Sequence, residues 1–322
     1  MRCSKHFRVT VFALAISIVA GAAAAQEAVT IKMGRLAFPS LSSVLIDVAV
    51  ARGFDKTNGL NMQVSSFSAV SAYYASIASG EVDMLAGGPH VFQKMMLEGV
   101  PIKIAGTWAR LNALSVISGD PAIKTIADLK GKSIAADMGS SEYQILAIYG
   151  RKLGLIFGKD IMVVQAGPPL ARSQLQAERV DAAMLWEPTA TVALRDNPKF
   201  KVILTGDTAW KAIANSSGWE LVLGMRDDFL KRNAAAVPKV LKMLQDAAQF
   251  ITSNVDTADE IVVNSVKLPK GVLKEGVTGG RVIFDIKPAW GAERAVIDGM
   301  LKVAVESGYL PKYPGENAIY KP

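Results

Sequence analysis

Cysteine is almost absent from this 322-residue chain. Its one instance, Cys3, precedes an apolar run, where the modified Cys of a lipoprotein would follow one. A chain that sheds this leader has no disulfide, no thiol nucleophile and no Cys-ligated metal. Histidine is nearly as scarce, with only His6 and His90. His90 alone cannot build a His-rich metal site, and a structural or ligand-touching role suits it better than a catalytic one. Neither Gly-x-Gly-x-x-Gly nor Walker A spacing occurs, which removes the usual dinucleotide and nucleotide-phosphate readings. No acidic cluster has calcium-loop spacing. No Lys/Arg block of the nucleic-acid-binding kind is present. No second long apolar run follows the first, so the mature chain is expected to be soluble.

The N-terminus is the first positive signal. Arg2, Lys5 and Arg8 form a basic head, Val9 to Ala20 an apolar run, and Ala23-Ala24-Ala25 a small-residue cleavage site. This is the pattern of a secretory signal peptide over residues 1–25, with the mature chain placed in the periplasm. The run is too short for a membrane anchor. Three of the 36 Lys and Arg lie in this leader, leaving 33 against 29 acidic residues, a net charge of +4. That balance permits an anionic ligand. The remaining 297 residues are enough for two cores.

The body alternates strands and helices. Val29–Leu36, Met62–Phe67, Val82–Ala86 and Ile102–Ala105 read as strands, with helices between them starting near Ser42, Ser71 and Gly87-Gly88-Pro89. Lys132–Ala136, Ile161–Val164 and Val180–Leu185 read as strands again, with helices starting at Ser141, in a capping-box spacing with Gln144, and at Pro168-Pro169. The fold class is α/β with mainly parallel sheets. The two stretches match at a constant offset of 98: Ser42-Ser43 with Ser140-Ser141, and Val82-Asp83 with Val180-Asp181. The repeat suggests two similar doubly wound lobes, and generic likeness of two α/β units is the alternative.

In such sheets ligands bind beyond the carboxyl ends of the strands. The candidate binding residues therefore sit in those loops: Phe38, Ser40, Ser42, Ser43, Ser68, Ser71, Gly88, His90, Gly139, Ser140 and Ser141. Helix starts offer unpaired N–H groups and the positive dipole end, small residues let an anion approach, and serine hydroxyls add donors. Helix capping alone would also explain each serine taken singly. Trp186 and Trp219 are candidate walls for the ligand, and Glu187 could accept from an amine or serve as a cap or hinge ion pair. Arg35 could pair an anionic head group. No residue pattern places a nucleophile beside a base, so no catalytic residue, metal or cofactor is assigned.

Several short runs also carry a resemblance. They are Ile31-Lys32-Met33-Gly34-Arg35, Ala51-Arg52-Gly53-Phe54 with Asn58-Gly59-Leu60, Ser79-Gly80-Glu81-Val82-Asp83 and Glu98-Gly99-Val100-Pro101. Further along come Asp128-Leu129-Lys130-Gly131-Lys132, Gly139-Ser140-Ser141, Arg179-Val180-Asp181-Ala182-Ala183 and Trp186-Glu187-Pro188. In order and spacing the chain resembles periplasmic binding components of ABC importers in the nitrate/sulfonate/taurine group, which share a fold with thiamine-pyrimidine precursor proteins. The resemblance implies a type II periplasmic-binding fold with a central cleft. Two crossovers, near Thr107–Pro121 and Thr205–Gly224, would join lobe one (26–112 plus 218–322) to lobe two (113–217). It further implies a monomer that binds a small anionic or zwitterionic solute, passes it to an ABC permease and has no nucleic-acid partner. The Cys-rich run of yeast-type pyrimidine synthases is missing, which argues against the enzymatic branch. An enzyme on the same fold and a sensory binding protein remain the alternatives.

Overall fold

The computed structural model describes Met1 and residues 28–322; the expected signal peptide lies almost wholly outside the described residues. Ten strands form two five-stranded sheets. The strands are β1 (Val29–Leu36), β2 (Leu60–Phe67), β3 (Met84–Gly87), β4 (Ile102–Arg110), β5 (Leu114–Ser118), β6 (Ser133–Ala136), β7 (Met162–Gln165), β8 (Ala182–Trp186), β9 (Lys201–Thr205) and β10 (Trp219–Arg226). The first sheet has the order β2-β1-β3-β10-β4, the second β7-β6-β8-β5-β9.

Each sheet is mixed, where mainly parallel sheets were expected. β10 lies antiparallel between β3 and β4, and β5 antiparallel between β8 and β9. Both inserted strands follow a passage of the chain from one sheet to the other. β4 ends at Arg110, a short 3-10 turn spans Leu111–Ala113, and β5 opens the second sheet. The chain returns after the helix Gly206–Ala214, whose C-cap Asn215 is left-handed, and β10 re-enters the first sheet. Gly218 sits where the two passages meet, because a Cβ there would stand 2.7 Å from Leu111 and 2.8 Å from Trp210.

Local chemistry explains the element starts. Ser40 caps the helix Leu41–Ala51, accepting from the Ser43 amide at 3.2 Å while the Ser43 hydroxyl accepts from the Ser40 amide at 2.9 Å. The matching helix Ser141–Lys152 is capped by Ser140, which accepts from the Tyr143 amide at 3.1 Å. That cap is one residue earlier than the Ser141–Gln144 spacing suggested. The helix Val237–Ser253 lays Val240, Leu241, Met243, Leu244 and Ala247 against the helix Leu41–Ala51 and the first sheet. Full burial of each larger aliphatic contributes roughly 1.5–3 kcal/mol. A second core runs from the opposite face of the first sheet (Val82, Leu85, Phe92) into the second (Val116, Ile134, Met184). No helix among the described residues is long and apolar enough to cross a membrane.

Candidate functional site

The loops after the strands converge where the two sheets face each other. β1 delivers Leu36 and the capped Ser40-Leu41-Ser42 turn, and the helix Val70–Ser79 adds Val70, Tyr73 and Tyr74. β6 leads to Ser140, Ser141 and Glu142, β8 ends on Trp186, and β10 contributes Glu220 and Leu221. Together they line a partly open chamber of 30 Å³, with residues from both sheets in its wall. By volume that is about two water-sized spheres, room for a polar head group. Val70 also belongs to a wider outer cleft of 520 Å³, lined by Phe38, Ser68, Ser71, Asp137, Gly139 and Gln165 among others.

The serines do two things at once. Ser40 and Ser140 cap helices and also line the chamber. Ser42 hydrogen-bonds Ser40 at 2.9 Å and accepts from the Leu36 amide at 3.4 Å. Ser43 is fully buried in the cap and does not line the chamber; its hydroxyl donates to the Phe38 carbonyl at 3.0 Å. Gly88 closes the gap between lobes: a Cβ built on it would stand 2.0 Å from the Ser141 Cβ. The Tyr73 hydroxyl donates to the Ala86 carbonyl at 2.6 Å, and the Tyr74 hydroxyl accepts from the Gly88 amide at 3.3 Å. Burial raises both phenols, so they stay protonated as donors.

Four sequence candidates are placed elsewhere. His90 is fully buried beneath the helix Glu293–Glu306, with Nε2 3.0 Å from the Met300 carbonyl, and burial lowers its pKa to about 4. Trp219 is buried at the passage between the sheets, under the Arg110 guanidinium at 3.6 Å, and its indole donates to Glu293 at 3.2 Å. Glu187 follows β8 but turns from the chamber to accept from Arg281 at 2.8 Å and from the Thr191 hydroxyl at 2.7 Å. Arg35 also points away, 3.2 Å from Asp47.

Two charged residues of the chamber wall are absent from the sequence candidates: Glu142 and Glu220. They come from opposite lobes, and their carboxyls lie within hydrogen-bonding reach of one another. The Ser141 hydroxyl donates to Glu142 at 3.0 Å. Glu220 is 0% exposed, and neither of its oxygens has a donor placed for a hydrogen bond. Burial first, and then the charge of Glu142, push the Glu220 carboxyl well above its ordinary range; the Leu114 amide offsets this only in part. Burial raises both carboxyls, and two acids this close share one proton between them. Among the described residues, no Lys or Arg lines the chamber.

Comparison with known proteins adds the following. A Brucella abortus protein named only as a binding protein is 22% identical over 246 residues, covering 73% of this chain and 71% of that one. The structure of the alkanesulfonate-binding protein SsuA from Xanthomonas axonopodis pv. citri, bound to MOPS, superposes with a TM-score of 0.74 at 20% identity, covering 92% of this chain and 99% of that one. The periplasmic aliphatic sulphonate binding protein SsuA from Escherichia coli gives a TM-score of 0.73 at 21% identity over 91% of this chain and 92% of that one. These likenesses establish the two-lobed periplasmic-binding fold. The family described as NMT1/THI5 like matches residues 43–258, which is more than half of the chain. The chain belongs to the NMT1/THI5-like family.

Proposed function

We propose that this protein is the extracytoplasmic solute-binding component of an ABC importer, and that its solute places a head group in the chamber between the lobes. The observation that carries the reading is the chamber wall itself. Ser40, Ser42 and Glu220 from one sheet and Ser140, Ser141, Glu142 and Trp186 from the other meet around one small chamber. A cleft closing on a small molecule needs such a shared wall, and convergent polar groups against aromatic rings are the usual make-up of a ligand site. The body of the solute extends into the outer cleft, past Phe38, Ser71 and Gly139. The names of the Xanthomonas and Escherichia neighbours support a small organic solute, as does the aromatic wall.

In this reading the leader 1–25 is removed on export, the mature chain starts near Gln26, and the protein acts as a monomer that docks on a permease without turning its solute over. The lobes are 26–112 with 218–322, and 113–217. The test is a thermal-shift screen of sulfonates, carboxylates, nitrate and organic amines on the mature protein. A solute at 100 times its Kd adds about 2.7 kcal/mol of stability. N-terminal sequencing of periplasmic material and product analysis of each stabilising compound complete it. Absence of any stabilising compound, or release of a new product, would overturn the reading.

A further inference from the structure

The chamber's electrostatics run against those of an oxyanion site. A buried carboxylate with no donor is costly, and two within hydrogen-bonding reach cannot both ionise without a proton or a cation between them. Glu220 is fully buried, forms part of the chamber wall and has no donor placed for a hydrogen bond, with the Leu114 amide offsetting its burial only in part. Glu142, 5% exposed, faces it from the other lobe, with the hydroxyls of Ser140 and Ser141 and its own backbone amide as donors and no cation beside it in the chamber wall. The other groups around the pair do not reverse the sign. Tyr73 and Tyr74 are neutral, Asp137 and Glu187 add negative potential, and the serines contribute hydroxyls. Two basic groups between the sheets are engaged elsewhere, Arg281 by Glu187 and Arg110 by Asp285. Trp186, Tyr73 and Tyr74 put aromatic rings in the wall, and the faces of such rings attract cations and not anions.

We infer that the Glu142–Glu220 pair receives a cationic nitrogen of the solute, an ammonium or amidinium group, so that the chamber selects cationic or zwitterionic solutes over simple oxyanions. The inference rests on the chamber being the solute site. Binding is then an exchange: the nitrogen's N–H groups donate to both carboxylates, and the proton the pair holds in the free protein leaves to solvent. Lobe closure is coupled to charge, because the two acids stand on different lobes and repel one another unless a proton or cation lies between them.

The experiment uses compound pairs that differ only in an amino and a hydroxyl group: taurine with isethionate, and phenethylamine with phenethyl alcohol. Benzamidine and nitrate complete the series. Each is titrated calorimetrically into mature wild type, Glu220→Gln and Glu142→Gln at pH 7, in phosphate and in Tris. The expected result is binding by at least one ammonium or amidinium compound, with its hydroxyl counterpart weaker by about 30-fold or more. Both variants should lose that preference, and wild type should release up to about one proton per solute, read from the difference in heat between the buffers, where Glu220→Gln releases less. Both variants are isosteric and remove like-charge repulsion, so folding is expected to survive, and circular dichroism verifies it. Tighter binding of nitrate or a hydroxyl compound overturns the inference and leaves the solute-site reading standing. Failure of every ammonium and amidinium compound overturns it too. Binding unaffected by Glu220→Gln, Glu142→Gln and Trp186→Ala alike overturns the chamber assignment as well.

Discussion

Gly88 and Ser141 touch across the cleft: a methyl group at Gly88 would stand 2.0 Å from the Ser141 Cβ and 2.9 Å from its Cα. The backbone at Gly88, φ −69 and ψ 142, is one that any residue adopts. Gly88→Ala is therefore strained only by the neighbouring lobe. The expected outcome is an unchanged fold with lobes held apart, so that solute affinity falls at least about tenfold. Small-angle scattering should show a solute-bound radius of gyration that stays near the free value. Full closure with native affinity would show that the lobes can approach by another path.

Glu187 and Arg281 link the lobes away from the chamber. The carboxyl is 0% exposed and the guanidinium 27% exposed, with Nε 2.8 Å from Oε1. Removing the cation leaves a buried charge supported by Thr191 alone. Arg281→Ala should cost about 3 kcal/mol, toward the low end for buried pairs because the arginine is partly solvated. Urea denaturation measures this, and a loss below about 1 kcal/mol would mean the carboxyl takes up a proton instead.

Two buried groups tilt the pH dependence of stability in opposite directions. His90 holds a folded pKa of about 4 against an ordinary 6.5. Its contribution is complete above 6.5 and is lost as pH falls toward 4, because the unfolded imidazole takes a proton that the folded one refuses. The separation corresponds to about 3 kcal/mol. His90→Gln should flatten this acid limb. Glu220 is raised above its ordinary 4.5, so its contribution is complete below 4.5 and is lost as pH rises through its folded value. Glu220→Gln should raise Tm at pH 8 and leave it unchanged near pH 4.

Trp186 ends β8 in the chamber wall, and Gly139 lines the outer cleft. A Cβ at Gly139 meets only the Asp137 carboxylate, at 3.4 Å. Trp186→Ala should weaken solutes with an organic body about tenfold or more, since an indole covers much apolar area. Gly139→Leu should fold normally and narrow the cleft, weakening larger solutes more than small ones. Calorimetric titration of both variants checks this. Equal effects on large and small solutes would separate the outer cleft from the binding path.

Much of this fold is legible in the sequence because its signals are local. Ile31 and Met33 alternate inward along β1, serines stand at helix starts, and Pro89 opens its helix. β5, β9 and β10 escaped the reading. β5 (Leu-Ser-Val-Ile-Ser) is buried on both faces, and such a run has no period to distinguish it from a core helix or a linker. The Val-Asp pairs read as strand starts fall just before β3 and β8, since Asp83 and Asp181 spend their carboxyls on the neighbouring backbone at Lys32 and Ser133. Glu142 was hidden by its place in a first helical turn, where an acid is expected for the helix dipole. Glu220 stands in a crossover region as the sequence reads, and only the pairing of β10 between β3 and β4 buries it. The one available hint was an acid directly before the apolar Leu221-Val222-Leu223. Distinguishing Ser40 from Ser43, or Trp186 from Trp219, requires knowing which way each side chain turns, and that is set by partners far along the chain.

The position of β10 has a further consequence, for the order in which the molecule can be assembled. It fills the space between β3 and β4, strands completed more than a hundred residues before it. Until Arg226 has emerged, the first sheet has a gap through its middle and its strand edges have no partners. All five strands of the second sheet lie between Leu114 and Thr205, although one side of its core is completed by later residues such as Trp210 and Trp219. The middle of the chain can thus fold while the two flanks are still searching for each other. A released fragment ending near residue 215 should yield one protected, protease-resistant core and a digestible N-terminal segment.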